Sequence, residues 1–179
     1  MNKLDISRRT DYACRIIRAA SKRDSGYVSI ATIAEEEQIP YAFARSIQHD
    51  LTVAGFITTA RGARGGLALK CDLKTTTLLE VIEHLQGPVS VSECSRDLSK
   101  CEFQPQCAFT RAFQGADALL IAYLGSITLH DLFTLRGSHP VIKAARSVRP
   151  NDMESIYKVL GYEEEPVDLP AISEENQAE

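Results

Sequence analysis

Three cysteines lie in one short segment, Cys94, Cys101 and Cys107, within the stretch ECSRDLSKCEFQPQC. Their spacing, Cys-x6-Cys-x5-Cys, is wider than the Cys-x2-Cys knuckle of a structural zinc ribbon. As thiolates in a polar, helix-poor loop, they can hold a soft metal centre. Three donors leave one coordination position to be filled from elsewhere. The two remaining cysteines read differently. Cys14 stands beside the apolar face of an expected first helix, as a buried small hydrophobe. Cys71, at the end of an expected strand, has no evident partner and reads as structural.

Residues 7–22 predict a helix, with Tyr12, Ala13, Ile16, Ile17 and Ala20 at helical spacing. Ser25-Gly26 breaks it, Tyr27-Val28 is extended, and Ser29 can cap a helix reaching about Glu37. After Pro40 a second helix runs over 41–54, stopped by Gly55. The two short helices and their tight turn have helix-turn-helix dimensions. In the second, Phe43, Ile47, Leu51 and Ala54 are expected to face the core. Arg45, Gln48, His49 and Thr52 lie opposite, and Tyr41 and Ala42 occupy the N-terminal end that enters a major groove.

Strands are expected at Phe56–Ala60 and Leu67–Lys70. The tip between them, Arg61-Gly62-Ala63-Arg64-Gly65-Gly66, has three glycines and two arginines. Glycine permits positive φ and close backbone approach, and arginine offers a planar donor fork to phosphate or the minor groove. A basic hairpin directly after a helix-turn-helix makes a winged helix. Thr77-Leu78-Leu79-Glu80 forms a capping box opening a helix to about Gln86, ended by Gly87-Pro88. Beyond the cysteines, 108–125 predicts a helix with Phe109, Ala112, Phe113, Ala116, Leu119, Leu120 and Tyr123 along one face. Its apolar surface exceeds a single stripe, so it asks for a second partner, and a dimer helix is the expected use. Leu129–Leu135 reads as a short helix, RGSHPVIKAARSVRPN as a basic linker, and Asp152–Leu160 as one more short helix.

At 179 residues and 44% hydrophobic, the chain can bury one core with a tail to spare. Five cysteines, an odd number, argue against a disulfide framework. No apolar run approaches the roughly 20 residues that span a bilayer, and the N-terminus lacks a secretory pattern, so a cytoplasmic protein without membrane attachment is expected. The net charge of −4 divides unevenly: residues 1–70 carry eleven Lys/Arg against seven Asp/Glu, 71–150 balance at eight each, and 151–179 hold nine acids and one lysine. The N-terminal part thus keeps a basic excess suited to a polyanion. No Ser/His/Asp set, paired carboxylates or phosphate loop supports an enzyme.

The stretch VSIATIAEEEQIP, the sequence Leu51-x-x-Ala54-Gly55-Phe56, the glycine-rich tip, Thr77-Leu78-Leu79-Glu80-Val81-Ile82 and Ile127-Thr128-Leu129-His130-Asp131-Leu132, with three cysteines placed between two helices, resemble the bacterial regulators typified by IscR, NsrR and RirA. The resemblance covers about residues 3–135. It implies a dimeric winged-helix transcription factor that binds an iron–sulfur cluster, 4Fe–4S being favoured over 2Fe–2S. IscR-like members are implied to use a histidine three residues after the third cysteine; Thr110 stands there. NsrR-like members are implied to use an aspartate in a Thr-Asp-x-Ala pattern, matched by Thr10-Asp11-Tyr12-Ala13. The implied ligands are Cys94, Cys101, Cys107 and Asp11, the last given in cis or across the dimer; the plain alternative for Asp11 is an acid in the first turn of a helix.

The expected architecture is mainly α with a small β-hairpin wing: a winged helix-turn-helix domain plus a long dimerisation helix. Residues 1–86 are the DNA-binding domain, 87–107 the cluster-binding loop, 108–135 the dimerisation region, and 136–179 a linker, short helix and acidic tail. The expected function is a repressor that senses nitric oxide, redox state or iron–sulfur status and binds a palindromic operator in double-stranded DNA as a homodimer. Tyr41, Ala42, Arg45 and Gln48 would read bases, while Arg61 and Arg64 grip the minor groove or phosphate. Two alternatives stay open: a thiol- or zinc-based winged-helix regulator, and a cluster-bearing redox or assembly protein whose winged helix binds protein.

Overall fold

Helix α1 (Arg8–Ser21) begins where the Ser7 hydroxyl accepts the Thr10 amide at 3.2 Å, and Asp11 in its first turn suits the positive end of the helix dipole. It buries Ala13, Ile16, Ile17, Ala19 and Ala20. The computed structural model describes residues 5–23, 26–62, 65–100, 107–135, 137–149 and 152–160. Helix α2 (Ile30–Glu36) is capped by Ser29, which accepts the Thr32 amide at 3.1 Å. Gln38, at φ 53°, makes the tight turn into α3 (Tyr41–Val53).

The rotation of α3 corrects the sequence reading. Its buried row is Ala44, Ile47 and Leu51, whereas Phe43 is 56% exposed and Ala54 only half-buried. Ile47 and Leu51 stay in the buried row as expected, and the exchange of Ala44 for Phe43 turns the face by about 40° at 100° per residue, with α3 packed against α1 and α2.

Strands β1 (Ile57–Ala60) and β2 (Gly66–Leu69) pair antiparallel, with Ile57 opposite Leu69 and Ala60 opposite Gly66. The extended piece before α2 joins them: Val28 N–H donates to Leu67 O at 2.9 Å and Leu67 N–H returns to Val28 O at 2.8 Å. Gly66 is required at this crossing. Its φ is 152°, and a Cβ would lie 2.4 Å from the Val28 carbonyl oxygen.

Helix α4 (Leu78–Gln86) has the expected capping box: Glu80 N–H donates to Thr77 Oγ1 at 3.2 Å, and Thr77 N–H to Glu80 Oε2 at 2.6 Å. Gly87, at φ 87°, ends it. A short helix α5 (Glu93–Arg96) and a 3-10 turn, Leu98–Lys100, follow in the segment expected to be helix-poor. Next come α6 (Ala108–Gly125) and α7 (Leu129–Leu135). Backbone bonds Leu78 N–H to Ile127 O and Leu129 N–H to Thr76 O, each 2.9 Å, tie the starts of α4 and α7. The core gathers Ile16 and Ile17 of α1, Ile33 of α2, Ile47 and Leu51 of α3, Ile57 and Leu67 of the hairpin, Val81 of α4 and Leu129 of α7.

The expected linker contains a further helix, α8 (Pro140–Ser147), with Pro140 at the first helical position, where a missing N–H costs nothing. Helix α9 (Met153–Leu160) follows, its first turn held by Ser155 N–H donating to Asp152 Oδ1 at 3.1 Å. The chain divides into two compact units, Met1–Val141 and Ile142–Glu179. Among the described residues, no helix is long and apolar enough to cross a membrane.

Candidate metal centre and nucleic-acid interface

The first turn of α6 brings two of the expected ligands to one residue. Thr110, 2% exposed, donates from its hydroxyl to Cys94 Sγ at 3.8 Å. Its backbone N–H is the main group holding the Cys107 thiol below its ordinary pKa. Thr110 therefore stands where the resemblance offered a histidine, and its hydroxyl donates to the Cys94 sulfur. Ser92 Oγ lies 3.0 Å from Cys94 Sγ.

The segment carrying Cys94 is pinned to α6 one stretch further along. Asp117, 9% exposed, lies seven residues after Thr110 and so on the same helix face. Its Oδ1 accepts Val91 N–H at 2.6 Å, its Oδ2 accepts the Ser95 hydroxyl at 2.6 Å, and Ser90 Oγ lies 3.2 Å from Oδ2. The sequence reading missed Asp117, Ser90, Ser92 and Ser95. The available signal was a lone acid in an otherwise apolar run, Ala116–Tyr123, facing a serine-rich segment.

The other cysteines have the opposite chemistry. Burial, and secondarily the nearby Asp11 carboxylate, push the Cys14 thiol up to about 11. Burial also raises Cys71. Both sit partly buried against the core and keep their protons near neutral pH.

Cys101 lies outside the described residues. Asp11 is on the exposed side of α1 and pairs with Arg15 at 2.8 Å. Arg15 in turn lies over the Tyr12 ring, 5.6 Å from its centroid, and donates to the Glu37 carbonyl at 3.4 Å. Among the described residues no three His, Cys, Asp or Glu side chains gather into a set able to hold a metal ion. Two soft sulfur donors beside a buried hydroxyl fit part of an iron–sulfur site.

Of the expected DNA-reading residues, Tyr41, Ala42 and Arg45 are exposed and Gln48 is half-buried. Arg61 is exposed at the wing, and Arg64 lies outside the described residues. Phe43 joins this surface beside Tyr41. Helix α3 is braced from α1 by Arg9, whose Nε donates to Asp50 Oδ2 at 2.9 Å and whose terminal nitrogen donates to Ser46 Oγ at 3.1 Å. At the same end of α1, Thr10 Oγ1 donates to Gln86 Oε1 at 2.8 Å, and Ser7 N–H donates to the same oxygen at 3.1 Å.

Residues 6–134 match the sequence model of the Rrf2 family, described as an iron-dependent transcriptional regulator. Similar proteins include the HTH-type transcriptional regulator NsrR of Oceanobacillus iheyensis, 28% identical over 131 residues, covering 72% of this chain and 89% of that protein. NsrR of Bacillus licheniformis is 26% identical over 131 residues, covering 72% and 92%. Among solved structures, CymR, the global cysteine regulator of B. subtilis, has a TM-score of 0.62 and 26% identity, over 75% of this chain and 98% of that one. The fold of T. potens IscR is also shared, at a TM-score of 0.59 and 20% identity, over 84% of this chain and 96% of that one. A helix-turn-helix, a glycine-built wing and a family match over most of the chain agree, and the protein belongs to the Rrf2 family of winged-helix, DNA-binding transcriptional regulators, which are not enzymes.

Proposed function

We propose that the protein is an iron–sulfur-dependent repressor, a homodimer that binds a palindromic site in double-stranded DNA and senses nitric oxide, redox state or iron–sulfur status. The observation that carries this reading is the gathering of Cys94 and Cys107 around Thr110, in a family described as iron-dependent. Cys94, Cys101 and Cys107 would hold the cluster, 4Fe–4S being favoured, with Asp11 of the same or the other subunit as the fourth donor. When bound, such a cluster supplies a carboxylate-held iron, less well matched than a thiolate-held one and open to small oxidants or nitric oxide. The protein's own part is transmission. Asp11 is two residues from Arg9, and Arg9 grips Ser46 and Asp50 on the reading helix. A shift of α1 at Asp11 is passed through that grip to α3, while Gln86 holds the start of α1 to the end of α4. The N-terminal 1–86 then serves as reading head, 87–107 as cluster loop and 108–135 as dimer core, with α6 offering Phe109 and Leu119 to a second copy.

Anaerobic isolation tests this. A brown protein with bound iron and sulfide, whose colour and operator binding both respond to nitric oxide, is expected. Asp11→Ala should fold and dimerise yet lose cluster more readily; an unchanged response removes Asp11 from the mechanism. A second reading, a thiol-based regulator without a cluster, draws on the Cys107 thiol's being held below its ordinary pKa by Thr110 and on the likeness to CymR. A colourless protein whose operator binding changes on oxidation of Cys94 or Cys107 would favour it.

A further inference from the structure

Cys94 is the described ligand candidate with the most elaborate support, and that support converges on one buried carboxylate. Val91 N–H, the Ser95 hydroxyl and Ser90 Oγ all lie within 3.2 Å of the Asp117 oxygens. Each serine has one proton to give. With Ser95 donating to Asp117, the Ser90 hydroxyl is left to donate to the Ser92 carbonyl at 2.6 Å, and Ser90 Oγ accepts from Ser92 N–H at 3.4 Å. Ser92, so fixed, lies 3.0 Å from Cys94 Sγ. A buried carboxylate is costly unless its oxygens are satisfied, so its presence on an apolar helix fixes where these donors must sit. Thr110, seven residues earlier on α6, donates to the same cysteine sulfur at 3.8 Å.

We propose that Asp117 is the positioning residue of the cysteine loop: anchored on α6, it fixes Val91 and Ser95, the groups that donate to it, so that Cys94 is presented beside Thr110 before any cofactor binds. The inference deepens the iron–sulfur reading and rests on it for the identity of what Cys94 holds. The presentation itself is a property of the protein alone, in line with the general role of outer hydrogen-bond partners in orienting metal ligands.

The test uses the full-length protein and compares wild type with Asp117→Ala and Asp117→Asn, both freed of metal and as isolated anaerobically. In metal-free protein, iodoacetamide labelling with peptide mass spectrometry reads Cys94 and Cys107 separately, and amide hydrogen exchange reads residues 90–96. In Asp117→Ala, Cys94 labelling should rise by about tenfold or more as the loop opens locally, with faster exchange at Val91. Cys107 and helices α1–α3 should stay near wild type. Asp117→Asn keeps one acceptor oxygen and should fall between, which also serves if the alanine variant fails to fold. In protein isolated with its cluster, transfer of iron to a chelator should accelerate by about 10–100-fold. The proposal is overturned if Cys94 and Cys107 speed up together, if exchange rises throughout the N-terminal helices, or if nothing changes. A wild-type protein without iron–sulfur absorbance would defeat the functional reading, and the labelling comparison would still decide the role of Asp117.

Discussion

Among the described residues, identical cysteine side chains acquire different chemistry from their surroundings, and this was partly legible in the sequence. Cys14 stands beside the apolar face of α1, so its burial follows from pattern alone, whereas Cys71, between Lys70 and Asp72, was read only as structural. The support of Cys94 was not legible, because its anchor Asp117 is 22 to 27 residues from the groups it binds. Thr110 was read only as a missing histidine, and its role as a donor to sulfur needed coordinates. Cys14 gives a pH test. Its folded pKa is raised from 9.0 to about 11, chiefly by burial. A raised acid favours its protonated form in the folded state, so the stability it contributes is complete below 9.0 and is lost as pH climbs through about 11. The loss is on the order of 2 kcal/mol. Denaturant unfolding of metal-free protein should show this decline, and Cys14→Ala should flatten it; an equal slope in both proteins would contradict the assignment. Near neutral pH, alkylation should reach Cys107 well before Cys14.

At the level of elements, apolar spacing located α1, Ser29 and Thr77 marked the starts of α2 and α4, Pro40 and Gly55 bounded α3, and the glycine-rich tip marked the hairpin, because these signals act on neighbours a few residues away. The rotation of α3 depended on which residue lets three helices approach, and Ala44 decided that over Phe43. Helix α8 was missed because its basic composition resembled a linker, although Pro140 marked its start. The exposed Phe43 and Tyr41 at the reading end of α3 are suited to apolar contact with thymine methyl groups. Phe43→Ala should change stability by no more than about 0.5 kcal/mol while weakening discrimination at an A·T pair in a binding-site selection. Ile47→Ala, four residues on and fully buried, should instead cost about 2–5 kcal/mol. Comparable destabilisation in the two variants would return Phe43 to the core. Gly66→Ala meets the Val28 carbonyl and a φ of 152°, and should cost about 1–3 kcal/mol in the same unfolding assay.

Across the whole molecule, the polarity of α6 is inverted relative to an ordinary surface helix. Its buried residues are Thr110 and Asp117, while Phe109 is 74% and Leu119 47% exposed. The two polar groups have their partners within the chain, so the apolar stripe is what remains to be covered. In the proposed homodimer a second copy would cover it, and a two-fold axis along such a helix would also set two reading heads for a palindromic site. Leu119→Asp separates this from a merely exposed stripe. In a monomer the aspartate would meet water and change stability little. Across a dimer seam it would be buried without a partner, at a cost of about 3–5 kcal/mol, which corresponds to a dimer dissociation constant raised by a factor on the order of a hundred or more. Sedimentation velocity at micromolar concentration should then show monomer, with circular dichroism unchanged and operator affinity reduced. A variant that stays dimeric would show that the α6 stripe does not form the seam, and the two-fold reading of DNA would have to be built from another face.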